Sequence, residues 1–178
     1  ETGNADIVVA AYAIRSRQPY LAFSDEYITA DPIAIFFNQA HRFEFERLQD
    51  LSGRTAGLLL GDSFGDQFDR FIADQPNVEY VSRGRQNLAK LALGRIEYMP
   101  LGRVSGELQA AKFGYSQQIR PFDTPVATEF FYLAVRRGSG LERHLPFLNR
   151  RLREMHAHGT LKSLEKSYSE RYLKQPLK

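Results

Sequence analysis

Ser63 is the side chain whose setting could support covalent chemistry. It follows an apolar segment that reads as a strand, so its hydroxyl would lie in the turn at the strand end. A serine becomes a nucleophile only when an adjacent base accepts its proton. Neither histidine near the C-terminus has an acid three residues before it, because that position holds Arg153 for His156 and Met155 for His158. Ser63 is therefore predicted to be a poor nucleophile.

The histidines do not predict a metal site. His156 and His158 lie two residues apart, and residues at that spacing do not share a helix face. His41 and His144 stand alone. The chain has no cysteine, which excludes disulfides and thiolate ligands. Neither a metal nor a cofactor is therefore expected.

The composition is that of an ordinary globular chain, with 43% hydrophobic and 25% charged residues. A chain of 178 residues can bury about two thirds of its unfolded surface, enough for one core or two small lobes. A net charge of +3 is too small and too evenly spread to favour nucleic acid as a partner. No apolar run approaches the ~18 residues that span a bilayer.

Alternating strands and helices predict an α/β fold. The predicted strands are 7–12, 32–37, 55–60, 78–82, 95–101 and 130–135. Residues 23–25 are expected to form a turn. A helix is predicted after the S-x-x-D start signal of Ser63 and Asp66, and a second over 86–93, stopped by Gly94.

A pair of helices is predicted at the C-terminus. An apolar stripe at helical spacing consists of Leu141, Leu145, Leu148, Leu152 and Met155. Pro146 falls inside this stripe and predicts a kink. Gly159 would close the first helix, and Thr160 would open the second.

Five segments carry motifs of one family in the same order. They read ADIVVAAYAIRSRQPYLAFSD (5–25), LQDLSGRTAGLLLG (48–61), LAKLALGRIE (88–97), FYLAVRRG (131–138) and LNRRLREMHAHGT (148–160). Together they resemble the bacterial family 3 extracytoplasmic solute-binding proteins, the periplasmic receptors for polar amino acids.

This resemblance implies a periplasmic-binding-protein-like (type II) fold of two lobes, each a mixed sheet flanked by helices, joined by two hinge-crossing strands. Residues 1–31 and 127–178 would form lobe 1, and 32–126 lobe 2, with the ligand between them. Family members carry a further strand-helix-strand-helix segment before the position of residue 5. We therefore expect lobe 1 to be incomplete at its N-terminus and the natural protein to be longer.

The function implied is non-enzymatic: extracytoplasmic capture of a small polar, carboxylate-bearing ligand, for a membrane permease of the ABC type or as input to a fused signalling domain. By resemblance, Arg17 grips the carboxylate, since a guanidinium offers two parallel donors at carboxylate spacing. Ala10 and Tyr12 stand where the family has a backbone carbonyl and a small hydroxyl for the ligand's ammonium. Ala10 keeps the carbonyl, whereas the Tyr12 ring either stacks on a ligand or fills the cleft. Otherwise Arg17 is a surface arginine paired with Asp25 or Glu26.

Lobe 2 would contribute a turn and a strand end. Asp62 and Ser63 occupy the family's Gly-Thr-Thr turn, whose amides meet the carboxylate at a helix N-terminus. Ser63 fits this role or that of a helix cap, whereas Asp62 would repel an anion, pair with Arg17 or cap the helix. Gly102 stands where the family has the aspartate that binds an α-ammonium. Its loss predicts a ligand other than a standard α-amino acid, or a degenerate pocket.

Two alternatives stay open beside this interpretation. One is a degenerate binding domain that serves as a sensory or protein-interaction module of a larger membrane or cell-wall protein. The other is an enzyme. The Gly61-Asp62-Ser63 triplet echoes the GDSL esterases, and dehydratases that resemble this receptor family would need an acid such as Asp62 or Glu97, without support from spacing.

Overall fold

The computed structural model describes residues 5–176 as alternating strands and helices, which confirms the predicted α/β class. The strands in this part of the chain are β1 (Ile7–Tyr12), β2 (Leu21–Asn38), β3 (Ala56–Leu59), β4 (Val78–Val81), β5 (Tyr98–Gly102), β6 (Ile119–Pro121) and β7 (Ala127–Arg136). The α-helices are α1 (Asp66–Ala73), α2 (Gly84–Ala92), α3 (Arg103–Lys112), α4 (Leu145–Ala157) and α5 (Thr160–Lys174). Short 3₁₀ turns cover Gln39–His41, Leu48–Leu51 and Leu141–His144.

The chain divides into two compact units. Unit 1 comprises the chain up to Asp31 together with Glu129–Arg171, and unit 2 comprises Pro32–Thr128 together with the chain from Tyr172 onward. The chain passes from one unit to the other within β2, again within β7 and a third time within α5. The lobe assignment that the resemblance implies stays a prediction.

Unit 1 is built on strands in the order β1-β7-β2, of which β1 and β7 are antiparallel. Ile7 of β1 lies opposite Val135 of β7, and Tyr12 lies opposite Phe131. Its buried apolar residues include Ala11, Tyr12, Ile14, Ala22, Ala134, Val135 and Leu152. β1 is the end strand of this order, and Val9 is 67% exposed on it.

Unit 2 has a mixed sheet in the order β2-β5-β3-β4, with β6 also paired to β2. β5 and β6 are antiparallel to β2, whereas β3 is parallel to both β4 and β5. Parallel neighbours require crossover connections, which α1 and α2 provide. One core cluster in this unit contains Ala34, Phe36, Leu88, Leu91, Ile96, Met99 and Ile119.

Two local predictions are wrong. Residues 23–25 form no turn, because they lie within β2, where Ala22 and Ser24 are buried and Asp25 is exposed in the alternation of a strand. Pro146 does not kink a helix. It lies in the first turn of α4, where its missing N–H would have had no intrahelical partner, and the preceding residues form a separate 3₁₀ turn.

The sequence analysis also missed α3 and β6. α3 has only two buried residues, Gly106 and Ala110, so its core face carries small side chains instead of a large apolar stripe. β6 is three residues long and contains Pro121, which weakens any strand signal. The strand predicted over 95–101 begins only at Tyr98, because residues 95–97 belong to the turn that follows Gly94.

Substitution of Gly106 tests how closely α3 packs on the core of unit 2. A Cβ at Gly106 would lie 2.2 Å from the ring of Phe36, which is fully buried. Gly106→Ala is expected to lower the free energy of unfolding by about 1–3 kcal/mol, because the ring or the helix must shift. Urea unfolding measures this change.

The control is Gly84→Ala at the start of α2, where the nearest atom to the new Cβ is Gln109 Oε1 at 3.4 Å. Its stability should equal or exceed that of the parent, since alanine is the better helix former by ~1 kcal/mol. Equal stability of the Gly106→Ala variant and the parent would contradict this packing.

Candidate functional site

Arg17 lies in the connection between β1 and β2, where the backbone folds tightly around it. Its N–H donates to the Ile14 carbonyl at 3.1 Å, and its carbonyl accepts from the Leu21 N–H at 3.0 Å. The half-buried guanidinium reaches only the Tyr12 carbonyl, at a long 3.4 Å. Among residues 5–176, Arg17 forms no ion pair with a carboxylate. Its donor capacity is therefore largely unused.

The surface ion pair considered for Arg17 is wrong. The Asp25 carboxylate accepts one hydrogen bond from Asn149 Nδ2 at 2.5 Å, and the Asp25 backbone N–H donates to Asn149 Oδ1 at 2.9 Å. Glu26 pairs with Arg153, with Nη1 and Oε1 3.0 Å apart. Both carboxylates thus have partners on α4 instead.

Ala10 is a strained position in β1. Its φ of 67° is the single positive value among the described non-glycine residues. The register with β7 shifts between Val9 and Ala11, so Ala10 is the extra residue of a β-bulge. A left-handed alanine costs roughly 1–2 kcal/mol, and such strain concentrates at functional sites. The ligand contact predicted for its carbonyl stays a prediction.

Tyr12 is buried in unit 1, with 8% of its surface exposed. Its hydroxyl donates a short hydrogen bond to the Asp31 carboxylate, and its ring stacks on Phe131 with centroids 4.7 Å apart. The ring therefore packs in the interior of unit 1. Contact with a ligand stays a prediction.

Asp31 is a buried carboxyl that the sequence analysis did not identify. It is 8% exposed, and burial raises the pKa of Asp31 above its ordinary value. The hydrogen bond from Tyr12 lowers this pKa, and the negative charge of Glu165 on α5 raises it again. The apolar residues around Tyr12 predict that its ring is buried, but they do not identify Asp31 as the partner of its hydroxyl.

The turn that follows β3 holds its polar groups together through Asp69. The Ser63 hydroxyl donates to the Asp69 carboxylate, and the Phe64 N–H donates to Asp69 Oδ1 at 2.9 Å. α1 begins at Asp66 with Gly65 as its N-cap, so the start signal assigned to Ser63 is wrong. The Ser63 hydroxyl is thus engaged by an internal carboxylate, and the ligand contact predicted for this turn stays a prediction.

Gly102 ends β5 and precedes the first residue of α3. It is buried, and its carbonyl accepts from Ser105 Oγ at 3.0 Å. Arg103, which follows it, donates to the Asp123 carbonyl at 2.9 Å and lies 3.8 Å from Glu107. The position that the resemblance assigns to the family's ammonium-binding aspartate thus carries no carboxylate.

The predicted site residues form two sets. Ala10, Tyr12 and Arg17 belong to one short stretch of unit 1. In unit 2, β3 and β5 are parallel neighbours, so the turn containing Asp62 and Ser63 follows the same sheet edge at which Gly102 ends β5. The assignment of both sets to one ligand stays a prediction.

The same sheet edge in unit 2 contains a small cavity of about 90 Å³. Its polar lining includes Asp62, Asn87 and Gln109. Asn87 is 3% exposed, and its Oδ1 has no hydrogen-bond partner among the described residues. The sequence gives no hint of this atom, since a lone asparagine in a helix usually faces solvent.

Groups of three or more acidic, histidine or cysteine side chains arranged to hold a metal do not occur within residues 5–176. In the same range, no helix combines the length and the apolar character needed to cross a membrane.

The fold is that of the periplasmic solute-binding proteins, the Venus-flytrap class, which confirms at the level of the fold the resemblance seen in the sequence. A mutant of ArgBP from T. maritima matches 93% of this chain with 69% of its own length, at 21% identity and a TM-score of 0.76. An amino acid ABC transporter substrate-binding protein from Streptococcus pneumoniae, bound to L-arginine, matches 98% of this chain with 72% of its own, at 11% identity and a TM-score of 0.79.

A histidine kinase sensor domain with similarity to periplasmic binding proteins has the same fold. It matches 93% of this chain with 70% of its own length, at 19% identity and a TM-score of 0.75. These neighbours are binding and sensor proteins. No protein-family model and no curated protein matches the sequence.

Neutralising Asp31 tests the buried pair with Tyr12. Because burial raises the pKa of Asp31 above the ordinary 3.8, the folded protein holds this proton more tightly than the unfolded chain does. Ionisation therefore costs stability, which falls as the pH rises through the folded-state pKa. Asp31→Asn is expected to raise the midpoint of urea unfolding near neutral pH, and the gain should vanish below the ordinary carboxyl pKa.

Tyr12→Phe should act in the opposite direction. It removes the hydroxyl donor and leaves a buried carboxylate without that partner, which should cost about 1–3 kcal/mol near neutral pH. Midpoints measured across the acidic range separate the two effects. The Asp31 assignment fails if Asp31→Asn and the parent have the same midpoint at every pH.

Proposed function

We propose that this chain is an extracytoplasmic solute-binding domain that captures a small carboxylate-bearing ligand without chemical conversion. The observation that carries the proposal is Arg17. Its half-buried guanidinium lies in a turn ordered by backbone hydrogen bonds, and it forms no ion pair among the described residues. An arginine held in this way is preorganised for the two parallel hydrogen bonds that a carboxylate accepts.

Two further features support a binding role. Ala10, in the strand that leads to Arg17, has a strained backbone at a β-bulge. Backbone strain of this kind is concentrated at functional sites. Solved structures of the same fold include an amino acid ABC transporter substrate-binding protein bound to L-arginine. Transport of such a ligand by a membrane permease is therefore one proposed role.

The ligand that we propose is not a standard α-amino acid. Gly102 offers no negative charge for an α-ammonium, and a desolvated ammonium without a partner would cost several kcal/mol. Ser63 is already hydrogen-bonded to Asp69, so we assign the main carboxylate contact to Arg17.

A sensory role is the second candidate, favoured by the similarity to a histidine kinase sensor domain. In that case the same carboxylate contact would bias a signalling module, instead of delivering a solute to a permease. The two roles differ in what the chain is joined to and not in the chemistry of Arg17.

Arg17→Ala tests the proposal directly. In the parent, a carboxylate that binds should raise the thermal midpoint, equivalent to about 2.7 kcal/mol at a hundredfold excess over Kd. The variant should lose this shift while its ligand-free midpoint stays close to that of the parent. Arg17→Lys should keep only part of the shift, because an ammonium does not present the parallel donors of a guanidinium.

The library should contain monocarboxylates, keto acids, dicarboxylates and amino acids. Arg143→Ala serves as the control, because Arg143 is exposed in unit 1 and should leave every ligand shift unchanged. Equal shifts in the parent and the Arg17→Ala variant, or no shift with any carboxylate, would refute the proposed function.

A further inference from the structure

Residues 42–47 of unit 2 form an extended segment that pairs with no strand of the described chain. Arg42 and Arg47, which bound the segment, have extended backbone angles, with φ −60° and ψ 137° at Arg42 and φ −146° and ψ 164° at Arg47. Residues 43–45 belong to no helix or strand, and their backbone N–H and carbonyl groups have no hydrogen-bond partner within residues 5–176. Unpaired extended backbone of this kind is a template for the addition of a strand.

The side chains of the segment alternate between aromatic and charged. The rings of Phe43 and Phe45 each pack on the ring of Phe122, with centroids 5.1 Å apart in both pairs. The alternate positions are charged and exposed, and they are Arg42, Glu44 and Glu46. This is the alternation of a strand that has one face on the protein and the other in solvent. The rings therefore hold the segment on unit 2 while the charged side chains remain accessible.

The exposed charges of the segment have no ionic partner in the part of the chain that the structure describes. The Arg42 guanidinium lies 5.7 Å from the ring centroid of Phe37 and 5.9 Å from that of Phe122, and no carboxylate pairs with it. The side chains of Glu44 and Glu46 form no ion pair either. An open cavity of about 750 Å³ lies beside the segment and is lined by all of its residues, so a partner has access to these charges.

The order of the residues makes the segment complementary to a second copy of itself. When two copies of residues 42–46 run antiparallel about Glu44, Arg42 of each copy lies opposite Glu46 of the other. In the same register, Phe43 of each copy lies opposite Phe45 of the other. Opposite charges and aromatic pairs in directly opposed positions stabilise an antiparallel pair of strands. Only Glu44 meets a like charge, because it lies opposite its own copy.

The backbone determines which of these residues exchange hydrogen bonds. The Glu46 N–H already donates to Asp50 Oδ2 at 2.8 Å, so it is not available to a partner. Phe43 and Phe45 therefore form the hydrogen-bonded pairs, in which the N–H of each donates to the carbonyl of the other across the two copies. Arg42 and Glu46 then occupy non-hydrogen-bonded pairs, where opposed side chains approach most closely.

We propose that this segment is a homodimer interface, in which residues 42–46 of two copies pair as antiparallel strands about a two-fold axis at Glu44. A contact of this size belongs to the weak end of specific interfaces, so association is expected at about 0.1–1 mM protein. The inference goes beyond the proposed function, since it requires neither a ligand nor Arg17.

Sedimentation velocity of the full chain, over a range of concentration up to ~1 mM, tests the interface. Arg42→Glu and Glu46→Arg each replace both ion pairs with like-charge pairs and should weaken association at least about tenfold. The double variant with both substitutions recreates the ion pairs in reversed polarity and should restore the association of the parent. A parent that stays monomeric at ~1 mM, or a folded double variant without restored association, would overturn the proposal.

Two further variants separate the interface from a general effect of charge. Arg70→Glu, at an exposed position of α1, changes the net charge by the same amount as Arg42→Glu and should leave association unchanged. Glu44→Gln removes the like-charge pair at the axis and should strengthen association by about two- to fivefold. Circular dichroism confirms that each variant is folded. Equal weakening by Arg70→Glu and Arg42→Glu would overturn the interface.

Amide hydrogen exchange of the parent measures the register of the pairing. The exchange rates of the Phe43 and Phe45 amides should fall as the protein concentration rises, because these amides donate across the interface. The exchange rate of the Glu44 amide should not change, because its N–H points away from the second strand. Slower exchange at Glu44 alone, or rates that do not depend on concentration at all three residues, would contradict the proposed pairing.

Discussion

The parallel pairing of β3 with both β4 and β5 is the constraint on which unit 2 depends. Parallel neighbours cannot be joined by tight hairpins, so the chain must return through α1 and α2 before each new strand. All three strands therefore end at one edge of the sheet. Asp62, Ser63 and Gly102 follow or end these strands, and the cavity with Asn87 lies beside them. The topology thus gathers polar groups that are far apart in sequence.

Internal partners determine which of these polar groups remain available. The Asp69 carboxylate accepts hydrogen bonds from the Ser63 hydroxyl and the Phe64 N–H. The carboxylate of a ligand would have to displace Asp69 from these donors, and Asp69 has the advantage because the chain itself holds it next to them. In unit 1, Tyr12 and Asp31 satisfy each other inside the core. A residue type that matches a binding motif is therefore not sufficient. Its hydrogen-bonding capacity must also be free in the folded chain.

Apolar periodicity and glycine positions predicted most of the fold, because both reflect local physical requirements. Gly94 and Gly159 adopt positive φ at the helix ends where they were expected. The first half of β2 was more difficult to predict. Its polar residues Ser24 and Asp25 suggest a turn, although they also fit the alternation of a strand. α3 was missed because its buried face is made of Gly106 and Ala110, whose close approach to Phe36 depends on the tertiary structure.

Candidate site residues could be selected from the sequence only where residue type and motif indicate a role, and not where the role depends on burial. Arg17 could be selected from the sequence because the segment around it resembles a known family. The structure adds that its guanidinium forms no ion pair among the described residues. Asn87 could not be selected, because its significance comes from burial and from the absence of a donor near Oδ1 among those residues. These two groups have opposite hydrogen-bonding character, one an unused donor and the other an unused acceptor. Both properties arise only on folding, because they depend on which partners the tertiary structure brings within hydrogen-bonding distance of each side chain.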